Sequence, residues 1–204
     1  KYIMGKDIVL AVINDIGFDG ATYRTMQFDG DAISSLNMEE RMTICNMAIE
    51  AGGKNGLIPA DSKTVEFVTN KSNKPFTVYT ADEDAKYHTV IEYNAEELEP
   101  MVAQPYSPGN GAKAKDLAHI ELTRAYIGSC TGGKTSDFFA ACEILYGKKV
   151  AIQTFAVPAT SQVLDNLHNI TYKDKTLYEI LEEAGCDIGL PSCAACLGGP
   201  EDTF

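Results

Sequence analysis

The stretch Ala125-Tyr-Ile-Gly-Ser-Cys-Thr-Gly-Gly-Lys-Thr-Ser136 decides the fold of the second half of this chain. It reads as the end of a strand, a glycine-rich turn and the start of a helix. Similar units follow it, and they comprise a helix at 136–146, an apolar strand at 149–157, and helices at 161–169 and 176–184 that end before Gly185. Because strands alternate with helices, we expect an α/β fold with a parallel sheet.

The first half of the chain predicts a second set of elements. They are a helix over 8–16 that ends at Gly17, a strand at 22–28, a helix capped by Asn37 and ended by Gly52-Gly53, and an alternating strand at 87–93. The segment Gln104-Pro-Tyr-Ser-Pro-Gly-Asn-Gly111 then has the composition of a turn. We therefore predict two domains, residues 1–104 and 105–204.

Composition excludes several classes of function. The 204 residues carry 17 Lys and Arg against 29 Asp and Glu, a net charge of −12, which disfavours binding to nucleic acid. No apolar run reaches the roughly 18 residues of a membrane-spanning helix, so we predict no membrane span. The six cysteines are too sparse for a disulfide scaffold and indicate a reducing intracellular compartment.

The glycine-rich turn admits two interpretations. Residues 128–135 fit the phosphate-binding pattern G-x-x-x-x-G-K-[ST] between a strand and a helix, so a P-loop nucleotide-binding module is one alternative. However, the apolar strand at 149–157 ends in proline, where that fold needs an aspartate for Mg²⁺. The pattern also leaves Cys130 without a role.

The second interpretation starts from the cysteines. Cys130 follows a strand end, and Cys193-Ala-Ala-Cys196 lies in a loop rich in Gly and Pro. If both loops lie at the same sheet edge, three thiolates converge, and three thiolates can hold a cubane iron–sulfur cluster whose fourth iron stays open to substrate. The spacing alone leaves open a structural zinc site that includes Cys186, or a redox pair.

Asn46 and Glu50 form a third candidate pair. They are four residues apart in the helix that Asn37 begins, so they share one face beside Met42 and Ile49. A carboxylate at the border of an apolar stripe is either part of a solvated edge or a site group.

Four blocks of sequence resemble the aconitase superfamily, and within it the large subunits of isopropylmalate isomerases of the plant-like kind. The blocks are 19–23, 38–56, 127–138 and 191–203, and they span nearly the whole chain in the family's order. The resemblance implies that both halves are three-layer α/β/α domains. Many relatives have Asn where Gly132 stands, and this difference creates the P-loop pattern.

The resemblance also implies a site. Cys130, Cys193 and Cys196 would ligate a [4Fe–4S] cluster, whose open iron binds the hydroxyl and carboxylate of a small hydroxy-acid substrate. Glu50 would contact the water or hydroxyl at that iron, and Asn46 would donate a hydrogen bond in the cluster region. The implied enzyme is a hydro-lyase of leucine biosynthesis that interconverts 2-isopropylmalate and 3-isopropylmalate by dehydration and rehydration.

Finally, the resemblance implies parts that this chain lacks. Family members carry His and Asp site residues before the matched region and substrate-binding Arg residues after it, and their catalytic base lies on a swivelling domain, here a separate small subunit. We therefore expect a middle fragment that is inactive alone, from the cytoplasm or a plastid stroma. Ser129 and Thr131, which flank Cys130, would shape its loop.

Overall fold

A computed structural model describes residues 3–197 of the chain. The chain divides into two units, residues up to Ala118 and residues from His119 onward. Each unit has its own hydrophobic core. Within the described residues, no helix is both long enough and apolar enough to cross a membrane.

The described part of the first unit contains short helices and two separate strand pairs. The helices are α1 (Gly5–Ile16), α2 (Asp31–Ser35), α3 (Met38–Asn46) and α4 (Ser62–Lys71). The strands are β1 (Thr25–Gln27) and β2 (Asn55–Leu57), which are parallel, and β3 (Met101–Ala103) and β4 (Gly111–Lys113), which are antiparallel. Single 3₁₀ turns lie at Met47–Ala51, Ala95–Glu97 and Ala114–Leu117.

The core of the first unit lies between α1 and α3. Val9 and Ile13 are one helical turn apart on α1 and are fully buried, as is Ile44 on α3. Each such side chain contributes about 1.5–3 kcal/mol by leaving water. This packing fixes the position of α3, which carries Asn46 at its end.

The bounds of α3 follow from its capping residues, as predicted. The Asn37 side chain accepts a hydrogen bond from the Glu40 N–H at 2.9 Å, and the Glu40 carboxylate accepts one from the Asn37 N–H at 3.3 Å. After Asn46 the chain tightens into the 3₁₀ turn and stops at Gly52, whose φ of +79° suits glycine.

Two expectations for the first unit are corrected. The predicted strand over 87–93 is wrong, because the described residues pair no strand with it. Within this segment, the adjacent residues Val90 and Ile91 are 72% and 48% exposed, so neither face of the alternating pattern is buried. The helix α4 was not predicted, since none of its residues is buried; it begins because Asp61 accepts from the Thr64 N–H at 3.0 Å.

The second unit is built around a parallel sheet. Its strands are β5 (Arg124–Gly128), β6 (Gln153–Val157) and β9 (Asp187–Ile188), with β6 in the centre, and a hairpin of β7 (Thr171–Tyr172) and β8 (Lys175–Thr176) lies apart. The helices are α5 (Ser129–Gly132), α6 (Thr135–Leu145), α7 (Ser161–Asn169) and α8 (Leu177–Ala184), and a 3₁₀ turn covers Ala194–Leu197.

The central strand explains the parallel arrangement. Four successive residues of β6, from Thr154 to Val157, are buried, as expected for a strand covered on both faces. Phe138 of α6, Leu167 of α7 and Leu181 of α8 are fully buried in the core beside it. The predicted α/β class is confirmed, and α7 has the predicted bounds.

The segment between the two halves pairs within the first unit. The Met101 N–H donates to the Asp7 carboxylate at 2.7 Å, and the Gly111 N–H donates to the Asn14 side-chain oxygen at 3.0 Å. These bonds attach the β3–β4 hairpin to α1, whereas the sequence assigned 105–118 to the second domain. The domain limits 1–104 and 105–204 and the three-layer arrangement of each stay predictions.

Candidate functional site

Cys130 lies in a tight turn at the end of a parallel strand. It belongs to α5, which begins directly after β5 ends at Gly128. The preceding residue, Ser129, has a φ of +68°, in the left-handed region that residues with a Cβ atom seldom adopt. Backbone strain of this kind is concentrated at functional sites, so the turn is a candidate site on conformation alone.

Two hydroxyl groups shape this turn. The Ser129 and Thr131 hydroxyl oxygens are 3.2 Å apart, and the Thr131 N–H donates to the Ser129 hydroxyl at 3.4 Å. These contacts join the residues immediately before and after Cys130. They agree with the loop-shaping role that the sequence assigned to Ser129 and Thr131.

Lys134, two residues after α5, forms hydrogen bonds that hold the turn. The Lys134 ammonium donates to the backbone carbonyl of Cys130, and the Lys134 N–H donates to the Asp137 carboxylate at 2.9 Å. The Gly133 N–H donates to the Ser129 carbonyl at 2.9 Å. A P-loop would instead present such N–H groups and its lysine to a phosphate. The geometry therefore disfavours the nucleotide-binding alternative.

The Cys193-Ala-Ala-Cys196 segment lies next to this turn. The Gly189 N–H donates to the Ala156 carbonyl at 3.0 Å, and the Ser192 N–H donates to the Pro158 carbonyl at 3.1 Å. These bonds fix the chain after β9 at the end of the central strand. The 3₁₀ turn that follows contacts α5, so the segments carrying Cys130, Cys193 and Cys196 are neighbours within the second unit.

The donor atoms at this place suit an iron–sulfur cluster, although they are not assembled into a ligand set. Cys193 and Cys196 are exposed and Cys130 is half-buried, so the three thiols are accessible. Three cysteines on adjacent loops match the donors that such clusters use. Among residues 3–197, no group of three or more His, Cys, Asp or Glu side chains is close enough to hold a metal ion. The assignment of Cys130, Cys193 and Cys196 as ligands stays a prediction.

Two other cysteines of the second unit serve its core. Cys142 and Cys186 are buried in one apolar cluster, where the Cys142 thiol donates to the Leu177 carbonyl at 3.5 Å. Burial raises the pKa of Cys142 to about 12 and also raises the pKa of Cys186. A buried protonated thiol is a poor metal ligand, so the zinc alternative loses Cys186 as its fourth donor.

Asn46 and Glu50 lie on the exposed side of their helical segment. Asn46 is the last residue of α3, whereas Glu50 belongs to the 3₁₀ turn that follows. A 3₁₀-helix has about 3.0 residues per turn, whereas an α-helix has about 3.6, so the Asn46 and Glu50 side chains do not align as they would in a continuous α-helix. Their exposure fits both a solvated edge and a site group, and their roles stay predictions.

Glu50 borders a cleft with an apolar lining. The cleft has a volume of about 480 Å³, and its lining residues are Phe18, Ile49, Glu50, Tyr106, Ser107 and Pro108. Ile49 is 65% exposed and Tyr106 is fully exposed. The Glu50 carboxylate thus stands among apolar side chains that are open to solvent.

His88 and His168 contact side chains that belong neither to the Cys130 turn nor to the lining of the cleft at Glu50. His168 stacks on Tyr178 with ring centroids 4.1 Å apart, and the His88 ring nitrogen lies 3.0 Å from the Arg24 guanidinium. Each contact joins two residues of the same unit.

Sequence reasoning missed the part that Lys134 and Asp137 play in the site. It treated Lys134 only as the phosphate contact of the P-loop alternative. A signal was present, since an acidic residue three positions after a helix-starting residue is the spacing of a capping box.

Comparison with known proteins places the chain in a family. The family model described as "Aconitase family (aconitate hydratase)" matches residues 1–117 and 110–204. The 3-isopropylmalate dehydratase large subunit, chloroplastic, of Arabidopsis thaliana is 47% identical over 100% of this chain and 41% of its own length. The 3-isopropylmalate dehydratase large subunits of Hydrogenobaculum sp. and Aquifex aeolicus are 46% and 43% identical, over 98% and 97% of this chain and 46% of their own lengths.

The chain therefore spans a little under half the length of these relatives. The match runs through both units, including the Cys130 turn, the cysteine pair at 193–196 and the segment with Asn46 and Glu50. The chain belongs to the aconitase family.

Proposed function

We propose that this chain is the cluster-binding part of a hydro-lyase that interconverts 2-isopropylmalate and 3-isopropylmalate, a reaction of leucine biosynthesis. The observation that carries the proposal is the adjacency, in a member of the aconitase family, of the turn with Cys130 and the segment with Cys193 and Cys196. Support for the substrate comes from the relatives, which are named 3-isopropylmalate dehydratase large subunit.

Three side chains would hold the cofactor. Cys130, Cys193 and Cys196 would bind three irons of a [4Fe–4S] cluster as thiolates. When bound, the cluster supplies a Lewis-acidic iron that polarises the hydroxyl and carboxylate of a malate-type acid. The protein's own contribution here is to keep the Cys130 turn fixed and the exposed cysteine pair beside it.

Glu50 and Asn46 would act on the substrate side. The exposed Glu50 carboxylate would contact the water or hydroxyl group that leaves and returns, because carboxylates are among the side chains that act as general acids and bases. Asn46, at the end of α3, would donate its amide N–H to orient the group beside the cluster.

A small subunit would be one of the parts that complete the enzyme. The relatives are called large subunits, which supports a partner that carries the swivelling domain. A reducing compartment suits exposed cysteines, so we place the protein in a cytoplasm or a plastid stroma; the Arabidopsis relative is named chloroplastic.

The test is anaerobic reconstitution of the chain with iron and sulfide. We expect a brown protein with equal amounts of bound iron and sulfide. Serine variants of Cys130, Cys193 and Cys196 should each bind less iron, whereas the half-buried Cys45→Ser should not. A colourless protein that takes up one zinc ion in place of iron would contradict the proposal and support a zinc-stabilised domain. Mg-ATP binding that is lost in Lys134→Ala would support the nucleotide-binding alternative.

The reaction needs a separate test with the small subunit present. Carried within the full-length large subunit and purified with the small subunit, the reconstituted protein should convert 3-isopropylmalate, and Glu50→Gln should reduce kcat by about 100-fold or more while cluster content stays unchanged. Full activity of Glu50→Gln would remove Glu50 from the chemistry.

A further inference from the structure

We propose that Lys134 is a positioning residue for the cluster: its ammonium holds the carbonyl of Cys130 and keeps a positive charge at this ligand. The inference rests on the proposed function, because it concerns the same cluster. It gives a role to the lysine that the P-loop pattern singled out and that the proposed reaction does not use.

The backbone of Lys134 is held in place by bonds on both sides. Its N–H donates to Asp137 at 2.9 Å, which fixes it as the residue before α6. The neighbouring Gly133 accepts from the Ala159 N–H at 2.8 Å and donates to the Ser129 carbonyl at 2.9 Å. The backbone that carries the Lys134 side chain is therefore fixed where its ammonium contacts the Cys130 carbonyl.

The strained backbone of the Cys130 turn has to be retained by additional hydrogen bonds. Ser129 keeps a φ of +68°, which is unfavourable for a residue with a Cβ atom, so the turn relaxes unless other bonds retain it. The hydroxyl contacts of Ser129 and Thr131 join groups of the turn to each other. The Lys134 ammonium adds a bond from beyond α5, to the residue that carries the thiol.

Charge gives the lysine a second effect. Three thiolates around a cluster concentrate negative charge, and the chain already has a net charge of −12. A cation bonded to the Cys130 carbonyl offsets part of that charge, and hydrogen bonds and charges around the ligands tune cluster stability. Lys134 is thus expected to slow the loss of iron.

The experiment compares four variants of the reconstituted chain. Lys134→Met removes both the bond and the charge, Lys134→Gln keeps a donor without the charge, and Lys134→Arg keeps both. The matched control is Lys149→Met, because the Lys149 ammonium also donates to a backbone carbonyl of the second unit, that of Glu183. Circular dichroism confirms that each variant folds before it is used.

The first readout is the rate of iron loss to a chelator. We expect Lys134→Met to lose iron about 10-fold faster than the unsubstituted chain, which corresponds to the lower end of the loss in metal affinity when a group that orients a metal ligand is removed. Lys134→Gln should be intermediate, and Lys134→Arg and Lys149→Met should stay within about twofold. Equal rates in Lys134→Met and Lys149→Met would overturn the inference and leave the proposed function standing.

The second readout needs no cluster. In the cluster-free chain, amide hydrogen exchange in a peptide covering 128–138 should be faster in Lys134→Met than in Lys149→Met. Unchanged exchange would overturn the inference as well. If the unsubstituted chain takes up no iron and sulfide, the proposed function fails, and the role of Lys134 toward a cluster fails with it.

Discussion

Ile44 provides a sharp test of how α3 is held. It is fully buried between α1 and α3, whereas Ile49, five residues later, is 65% exposed. Replacing each by alanine removes the same three carbon atoms. At Ile44 the transfer of about three buried carbon groups costs about 2.4 kcal/mol, and the cavity adds about 1 kcal/mol. The better helix propensity of alanine returns about 0.4 kcal/mol, so we expect a net loss of about 3 kcal/mol.

The two variants are compared by urea unfolding followed by far-ultraviolet circular dichroism. Ile44→Ala should lower the midpoint by an amount corresponding to about 3 kcal/mol at an unchanged slope. Ile49→Ala should change the free energy of unfolding by less than about 1 kcal/mol, because its side chain is largely hydrated already. A loss below about 1 kcal/mol at Ile44, or an equal loss at both positions, would refute this account of the core.

Three further predictions follow from individual side chains. The Arg41 guanidinium holds the pKa of Asp61 well below its usual range, so the ionised pair stabilises the fold above about pH 4. The difference in unfolding free energy between Asp61→Asn and the unsubstituted chain, measured by urea unfolding, should therefore shrink as the pH falls toward 3. Gly185→Ala should destabilise the second unit by about 1 kcal/mol in thermal unfolding, because φ is +89° there and the nearest atom to a new Cβ is 3.7 Å away, which leaves backbone strain as the cost. Burial raises the pKa of Cys142 to about 12, so an alkylating reagent at pH 8 should label the exposed Cys193 first and Cys142 only after unfolding, as read by mass spectrometry.

The elements with strong local signals were predictable from the sequence. Asn37 with Glu40 fixed the start of α3, and Gly185 in the left-handed region ended α8, as the residue types indicated. The strand predicted over 87–93 is wrong because an alternation of apolar and polar residues does not by itself supply a partner strand. The helix α4 was not predicted because its stability comes from the Asp61 cap and from two hydrogen bonds that Arg41 donates to Asp61. These bonds measure 2.7 and 2.8 Å and link residues 20 positions apart in the sequence.

The site could be predicted only in part. Residue type, spacing and the family resemblance suffice to predict Cys130, Cys193 and Cys196 as ligands, and that assignment stays a prediction. The adjacency of their segments needed the sheet, because β9 pairs with β6 and so delivers the cysteine pair to the end of the central strand. The change from α-helix to a 3₁₀ turn after Asn46 carried no clear signal, since the pattern of apolar residues is compatible with either helix.

The two bonds that anchor residues 189 and 192 have a consequence for sequence length. They tie the loop to the carbonyls of Ala156 and Pro158, which are two residues apart at the end of the central strand, so the number of residues between β9 and Cys193 is fixed by geometry. One residue inserted or deleted there would break a bond and turn the cysteine pair away. Within the part of the chain that the structure describes, the hairpin tip at Lys173-Asp174 has no such double attachment to the sheet. Gaps among homologous sequences should therefore accumulate at that tip and be absent between Ile188 and Cys193.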